Sequence, residues 1–185
     1  MPGRTAKVLK DGYLHTGDIA SIDKDGYLRI IDRKKEILVL SNGKNVAPVG
    51  IEKKIAKSHY VLQCIVVGDG RNYITALIVP NMVQMRKEFQ EISDLEILES
   101  PKAKEIIEKE INKNCADLAP FSQVKKFRLL KKELSFEGGE LTPTMKIKRK
   151  AIRKKYEDII DEMYAEVNSH TINKKTLEKD QANFI

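Results

Sequence analysis

Only two cysteines, Cys64 and Cys115, occur in 185 residues, far apart and without Cys-x-x-Cys spacing. No disulfide framework can therefore organise the fold, and a reduced intracellular protein is the simplest reading. Cys64 lies inside an apolar run and Cys115 ends a helical stripe, so both read as core thiols. The three histidines, His15, His59 and His170, stand in unrelated contexts. No acidic or cysteine cluster completes a ligand set around them, so no metal site is expected. No apolar run nears the roughly 18 residues of a bilayer-spanning helix. Met1-Pro2-Gly3-Arg4 opens no signal-peptide core. The expectation is a cytoplasmic chain that at most visits a membrane surface. Repeats and low-complexity tracts are also missing.

Charge is what the chain has in excess. Charged residues make up 33 % of it, above the usual quarter or so, and the formal net charge is +7. That balance favours anionic partners, whether nucleotides, phosphates, nucleic acid or membrane, without ranking them. Apolar residues at 41 % are enough for a real core. The length suits one domain of ordinary size plus a small extra piece.

Residues 5 to 32 read as short strands on tight turns: Ala6 to Lys10, Tyr13 to His15, Ile19 to Ile22 and Tyr27 to Ile31. Asp11-Gly12 and Asp25-Gly26 between apolar runs are hairpin signals. This β-rich piece is too small to bury its own core and is expected to edge something larger. Ile37 to Leu40 is a short buried-strand candidate, broken by Ser41-Asn42-Gly43. Pro48 suits the first turn of a helix whose apolar face is Ile51, Ile55 and Ala56. Val61 to Val67 and Tyr73 to Val79, joined by Gly68 to Arg71, predict an antiparallel hairpin. Asn81 is placed to cap a helix from Met82 to about Ile92. Ser100-Pro101 opens another, with Ala103, Ile106, Ile107, Ile111 and Cys115 on one face. A strand over Val124 to Leu130, a turn at Gly138-Gly139 and a last amphipathic helix through Ile152, Tyr156, Ile159, Ile160, Met163 and Tyr164 complete the order. The fold class expected is α+β, a short antiparallel or mixed sheet flanked by helices. The boundaries expected are a β fragment over residues 1–32, the α+β domain over 33–167 and a polar tail over 168–185.

Three segments carry chemistry. Asp18 follows Gly17 in Gly12-Tyr13-Leu14-His15-Thr16-Gly17-Asp18, and a carboxylate there can accept hydrogen bonds from a sugar diol. An ordinary turn acid would look the same. Asp32-Arg33-Lys34-Lys35-Glu36-Ile37 places a planar guanidinium fork beside an acid, suited to phosphate or ribose oxygens. A solvated charge run is the plainer reading. Lys146, in Leu141-Thr142-Pro143-Thr144-Met145-Lys146-Ile147-Lys148-Arg149, can deliver a point charge to a phosphate or carboxylate. From Lys146 to Lys155 there are seven basic residues and no acid, a stripe that would also fit nucleic acid. No aromatic precedes Tyr156 in it, so stacking on bases has little support.

Taken together, and with Ser41-Asn42-Gly43-Lys44-Asn45-Val46-Ala47-Pro48, these segments resemble the C-terminal part of the adenylate-forming ligases, the superfamily of acyl-CoA synthetases and firefly luciferase. The form of the second and third segments is most similar to long-chain fatty acyl-CoA synthetases. The resemblance runs to about Tyr164. It implies activation of a carboxylic acid with ATP and Mg2+, through an acyl-adenylate, to a coenzyme A thioester. It implies Asp18 on the ribose hydroxyls, Arg33 on the same nucleotide, and Lys146 as the catalytic cation on the α-phosphate. Asp32 to Lys35 would form the hinge about which the domain rotates between half-reactions. Gly43 and Lys44 would then line the coenzyme A channel. Some relatives carry a lysine where this chain has Val39, so no thioester role for a lysine is carried over. The family's large N-terminal domain, with its phosphate loop, adenine pocket and acid tunnel, has no counterpart here. That domain is the expected partner, and the chain alone is expected to be inactive. The same domain in a ligase for another acid, or a basic nucleic-acid or membrane module, stays open as an alternative.

Overall fold

In the computed structural model, residues 5–6 and 8–165 are described. The expected polar tail and His170 lie outside them. The first hairpin pairs β1 (Leu9–Lys10) with β2 (Tyr13–Leu14). Its two-residue loop, Asp11-Gly12, has φ of 51° and 80°, the left-handed pair that a tight hairpin of matching twist requires. A second hairpin pairs β3 (Asp18–Ile22) with β4 (Leu28–Arg33). Tyr13, Leu14, Ile22, Tyr27, Leu28 and Ile30 stay exposed on these hairpins, in line with a piece too small to cover its own apolar side chains.

The core is built on one three-stranded sheet in the order β7 (Val61–Val67), β8 (Ile74–Pro80), β9 (Val124–Leu129). β7 and β8 form the expected antiparallel hairpin, and β9 joins β8 in parallel. Every residue of β8 is buried because both faces of the sheet are covered. Cys64, Val66, Ile74, Ala76 and Ile78 point to one face, where α1 (Pro48–Ile55) and α4 (Pro101–Asn114) pack with Ile51, Ile55, Ile107 and Ile111. Ile65, Val67, Leu77 and Val79 point to the other, against Leu141, Ile152, Ile160 and Met163. Both faces being dry explains the unbroken apolar runs of the two strands. A small hairpin, β5 (Leu38–Val39) with β6 (Asn45–Val46), feeds α1.

Several boundaries differ from expectation. Ala56 is exposed, because α1 ends at Ile55 and Ala56 is its C-cap. The helix expected from Met82 to Ile92 is α2 (Met82–Met85) and a 3₁₀ turn, Arg86–Glu88. Asn81 gives no side-chain cap there. The chain instead restarts as α3 (Asp94–Glu99), opened by a full capping box between Ser93 and Glu96. Ser100 caps α4 as expected, accepting from the Ala103 amide at 3.1 Å. The last helix is interrupted: α5 (Arg149–Lys155) stops at Tyr156, and residues 157–165 are helical again. Cys64 and Cys115 are free and buried, and desolvation pushes the Cys64 thiol well above its ordinary pKa. Among the described residues no helix is long and apolar enough to cross a membrane, and no group of three or more acidic, histidine or cysteine side chains could hold a metal.

Candidate active site

Asp18 opens β3 and Arg33 closes β4, and the strands place them opposite each other. Arg33 Nε lies 3.3 Å from Asp18 Oδ1, with the arginine side chain 70 % exposed and the carboxylate 27 %. The Asp18 amide donates to Thr16 Oγ1 at 3.1 Å, and Lys34 N donates to Gly17 O at 2.8 Å. Asp18 Oδ1 thus faces a guanidinium, while Oδ2 has no partner among the described residues. A β-bulge creates this meeting. Ile22 pairs with Leu28 and Ala20 with Ile30, but Ile19 pairs with Asp32, so Ile31 is the extra residue. The same residues paired without a bulge would set Asp18 opposite Asp32, carboxylate against carboxylate.

Asp32 is buried and its two oxygens hold two backbone amides. Oδ1 accepts from Arg33 N at 2.7 Å and Oδ2 from Val49 N at 3.2 Å. α1 lacks a side-chain cap from its own N-cap residue, Ala47, and has no acid in its first turn. Asp32 supplies both from a distance of 17 residues in sequence, satisfying an orphan amide and placing negative charge at the positive end of the helix. Lys34 and Lys35 are exposed in the turn that follows, and Glu36 N closes that turn onto Arg33 O at 2.9 Å.

The Ser41 to Lys44 turn sits at the tip of the β5–β6 hairpin. Gly43 has φ of 78°, a left-handed position with open space where a Cβ would be. Leu40 N donates to Lys44 O and Gly43 N to Leu40 O, both at 2.9 Å. The exposed Lys44 has its ammonium 5.8 Å from the ring centre of Phe121. The hairpin is tied to the β7–β8 turn: Ser41 N donates to Arg71 O, and Ser41 Oγ to Asn72 Oδ1 at 2.6 Å. Val39 is half exposed on this hairpin.

Lys146 is exposed, and its ammonium makes no ion pair or hydrogen bond among the described residues. Its backbone is nevertheless well held. Leu141 and Ile147 form an isolated bridge, Thr142 N donates to Lys146 O at 2.8 Å, and Lys146 N donates to Thr142 Oγ1 at 3.0 Å. Met145 takes a φ of 58° to close the loop. The segment is therefore a tight β-like loop presenting one free cation. It opens onto a shallow groove of about 540 Å³ that Glu36, Glu52, Lys53, Cys64, Lys146 and Arg149 help to line. No hydrogen bond or ion pair joins Lys146 to Asp18 or Arg33 among the described residues, so the structure unites the two strand-end residues and leaves the loop cation separate.

The basic stripe is less continuous in space than in sequence. Arg149 points inward, its side chain only 14 % exposed. Its Nη1 and Nη2 donate to Glu52 Oε1 and Oε2, both at 2.7 Å, and its Nε to Glu36 Oε2 at 2.6 Å. Glu52 Oε1 also accepts from the buried Val66 amide at 2.8 Å. Burial works against the charge of Arg149, but Glu52 and then Glu36 outweigh it and raise its pKa above the ordinary arginine value. Arg153 pairs with Asp69 at 3.0 Å and Lys155 with the buried Glu140 at 2.5 Å. Three of the seven stripe cations are thus committed within the fold. Glu52 and Arg149 are the functional-region residues that sequence reading missed. Glu52 is not singled out in the sequence, and Arg149 stands there as one more charge of the basic stripe.

Comparison with known proteins places this architecture. Residues 35–168 match the AMP-binding enzyme C-terminal domain, and the chain belongs to that family. Its curated relatives include fadD11 of Mycobacterium tuberculosis, 38 % identical over 170 residues, covering 89 % of this chain and 30 % of that protein. Long-chain-fatty-acid–CoA ligase 1 of Homo sapiens is 37 % identical over 174 residues, covering 90 % of this chain and 25 % of the relative. The A-PCP didomain of carboxylic acid reductase from Segniliparus rugosus, solved in complex with AMP, has a like fold. Its TM-score is 0.79 at 22 % identity over 100 % of this chain and 25 % of that one. The chain spans between a quarter and a third of the length of these proteins.

Proposed function

We propose that this chain is the mobile C-terminal part of an ATP-dependent long-chain fatty acid–CoA ligase, working with a large N-terminal adenylation domain in a cytoplasmic setting that includes contact with membrane surfaces. Residues 1–32 are the β-rich end of that large domain, residues 33–167 the mobile domain and 168–185 a polar tail. The substrates are ATP, a fatty acid and coenzyme A. Mg2+ enters with the nucleotide. The observation that carries this reading is the free ammonium of Lys146 on a braced loop, in a chain whose family is an AMP-binding one.

The chemistry follows from charge. Adenylation brings a carboxylate onto the α-phosphate of ATP, and negative charge grows on the phosphoryl oxygens as they react. A cation positioned there stabilises the transition state more than the ground state. Lys146 has no internal partner to give up in taking that role. Asp18 binds the ribose hydroxyls through its open Oδ2, with Arg33 holding the other oxygen and reaching the same nucleotide. Rotation about Asp32 to Lys35 then exchanges the Lys146 loop for the Ser41 to Lys44 face. Gly43 gives room for the pantetheine arm, and Lys44 meets coenzyme A phosphates.

Half-reaction assays test this in a full-length ligase carrying the chain as its C-terminal part. Lys146→Ala is expected to lower pyrophosphate-forming adenylation by about 10²–10³ while sparing thioester formation from supplied acyl-adenylate. Equal loss in both would refute the division between the two faces. The 185-residue chain alone is expected to release no pyrophosphate from ATP and palmitate.

A further inference from the structure

We propose that Arg149 is a positioning residue for Lys146, and that Glu36 acts through Arg149 to lock the swivel segment to the reactive loop. Arg149 lies three residues beyond Lys146, at the point where the loop becomes α5. Its guanidinium is held in a fork by Glu52 on α1 and donates through Nε to Glu36. Glu36 is the first residue after Lys35, and its own amide closes the turn onto Arg33. The swivel segment is therefore fastened at both ends to one block. Asp32 ties its start to α1 through Val49 N, and Glu36 ties its end to the Lys146 loop through Arg149.

The two contacts of Arg149 differ in kind. The Glu52 pair is nearly inaccessible, with side chains 14 % and 9 % exposed, and it also satisfies the Val66 amide. It is part of the folded core. Glu36 is 36 % exposed, so it can be removed without leaving a buried charge unpaired. That makes it the separable link between the turn and the loop. A rotation that altered the backbone at Lys35 would move Glu36 first, and through Arg149 it would reach the loop that carries Lys146. Placement of that cation matters because a displacement of about 1 Å can cost on the order of 10²-fold in rate.

The catalytic half of this inference rests on the function proposed above, and the test separates the two. In the 185-residue chain, Glu36→Ala is expected to speed amide hydrogen exchange together at Glu36, Thr142 and Lys146, while Ile78 and Ile107 in the core keep wild-type protection. Glu36→Gln, whose carbonyl can still accept from Arg149 Nε, should restore part of it. Unchanged exchange at Thr142 and Lys146 would overturn the coupling, and so would faster exchange everywhere, which signals mere destabilisation. In the full-length ligase, Glu36→Ala should lower kcat for adenylation roughly tenfold with KM for ATP little changed and thioester formation spared. Arg149→Lys, a point charge in place of the fork, should do the same. Equal losses in both half-reactions would overturn the positioning role. If Lys146→Ala were also silent, the function proposed above would fall while the exchange result still stood.

Discussion

Replacing Arg149 with methionine leaves a measurable deficit whose size can be worked out from its partners. Glu52 would keep its bond from Val66 N through Oε1, but Oε2 would lose its only donor among the described residues, in a site where the side chain is 9 % exposed. An uncompensated buried carboxylate of this kind costs about 3–5 kcal/mol. Glu36 adds little, being open enough for water to replace the guanidinium. For a domain of this length, about 2–4 °C accompanies each kcal/mol, so the melting temperature should fall by roughly 6–20 °C. The double variant Arg149→Met with Glu52→Gln removes the stranded charge and still offers Val66 N an acceptor. It should cost only about 1–2 kcal/mol. Urea unfolding of wild type, both single variants and the double gives the cycle, with an expected coupling of about 2 kcal/mol or more. The reasoning fails if Arg149→Met alone costs under about 1 kcal/mol, or if the two single changes simply add.

Two further outcomes follow from other parts of the fold. Ile107→Ala empties a fully buried position between α4 and the sheet; it should cost about 2–5 kcal/mol by urea unfolding, and a loss below 1 would mean that α4 packs loosely. Glu140 is buried, and although desolvation raises its pKa, the Lys155 ammonium and the amide bonds around it outweigh that and hold it below the ordinary 4.5. A carboxylate depressed on folding stabilises the fold above its unfolded pKa, and that contribution is lost as pH falls through the folded value. Thermal melts of wild type should therefore decline below about pH 4.5 more steeply than those of Glu140→Gln; parallel curves would refute the assignment.

Much of this architecture was legible in the chain, for reasons that are local. The β7–β8 hairpin shows because two β-rich apolar runs flank a glycine turn, and α4 shows because Ser100-Pro101 and a helical stripe agree. Ser93-Asp94-Leu95-Glu96 carried a capping-box signal as clear as that of Ser100, and it should have divided the region from Met82 to Glu99. Long-range contacts were not legible. Asp32 reads as the first member of a charge run, yet it caps a helix 17 residues on. Arg149 reads as one cation among seven, yet it alone is gripped from two sides by carboxylates from the turn after β4 and from α1. Sequence spacing cannot separate a buried cation from its solvated neighbours, because the distinction is made by what packs opposite.

The bulge at Ile31 links these observations. A strand pair in perfect register would have set Asp18 against Asp32, two carboxylates facing across a ladder, each raising the cost of ionising the other. With the bulge, Asp18 pairs instead with Arg33, and Asp32 binds two amides. The same irregularity thus prepares an exposed acid with one open oxygen and anchors the start of the segment about which the domain is proposed to turn. A bulge that served stability alone would need only to separate the acids. Here one acid is committed to the start of α1 while the other, with its arginine, stays on the solvent side, so that a fixed carboxylate and an exposed one stand within a single hairpin.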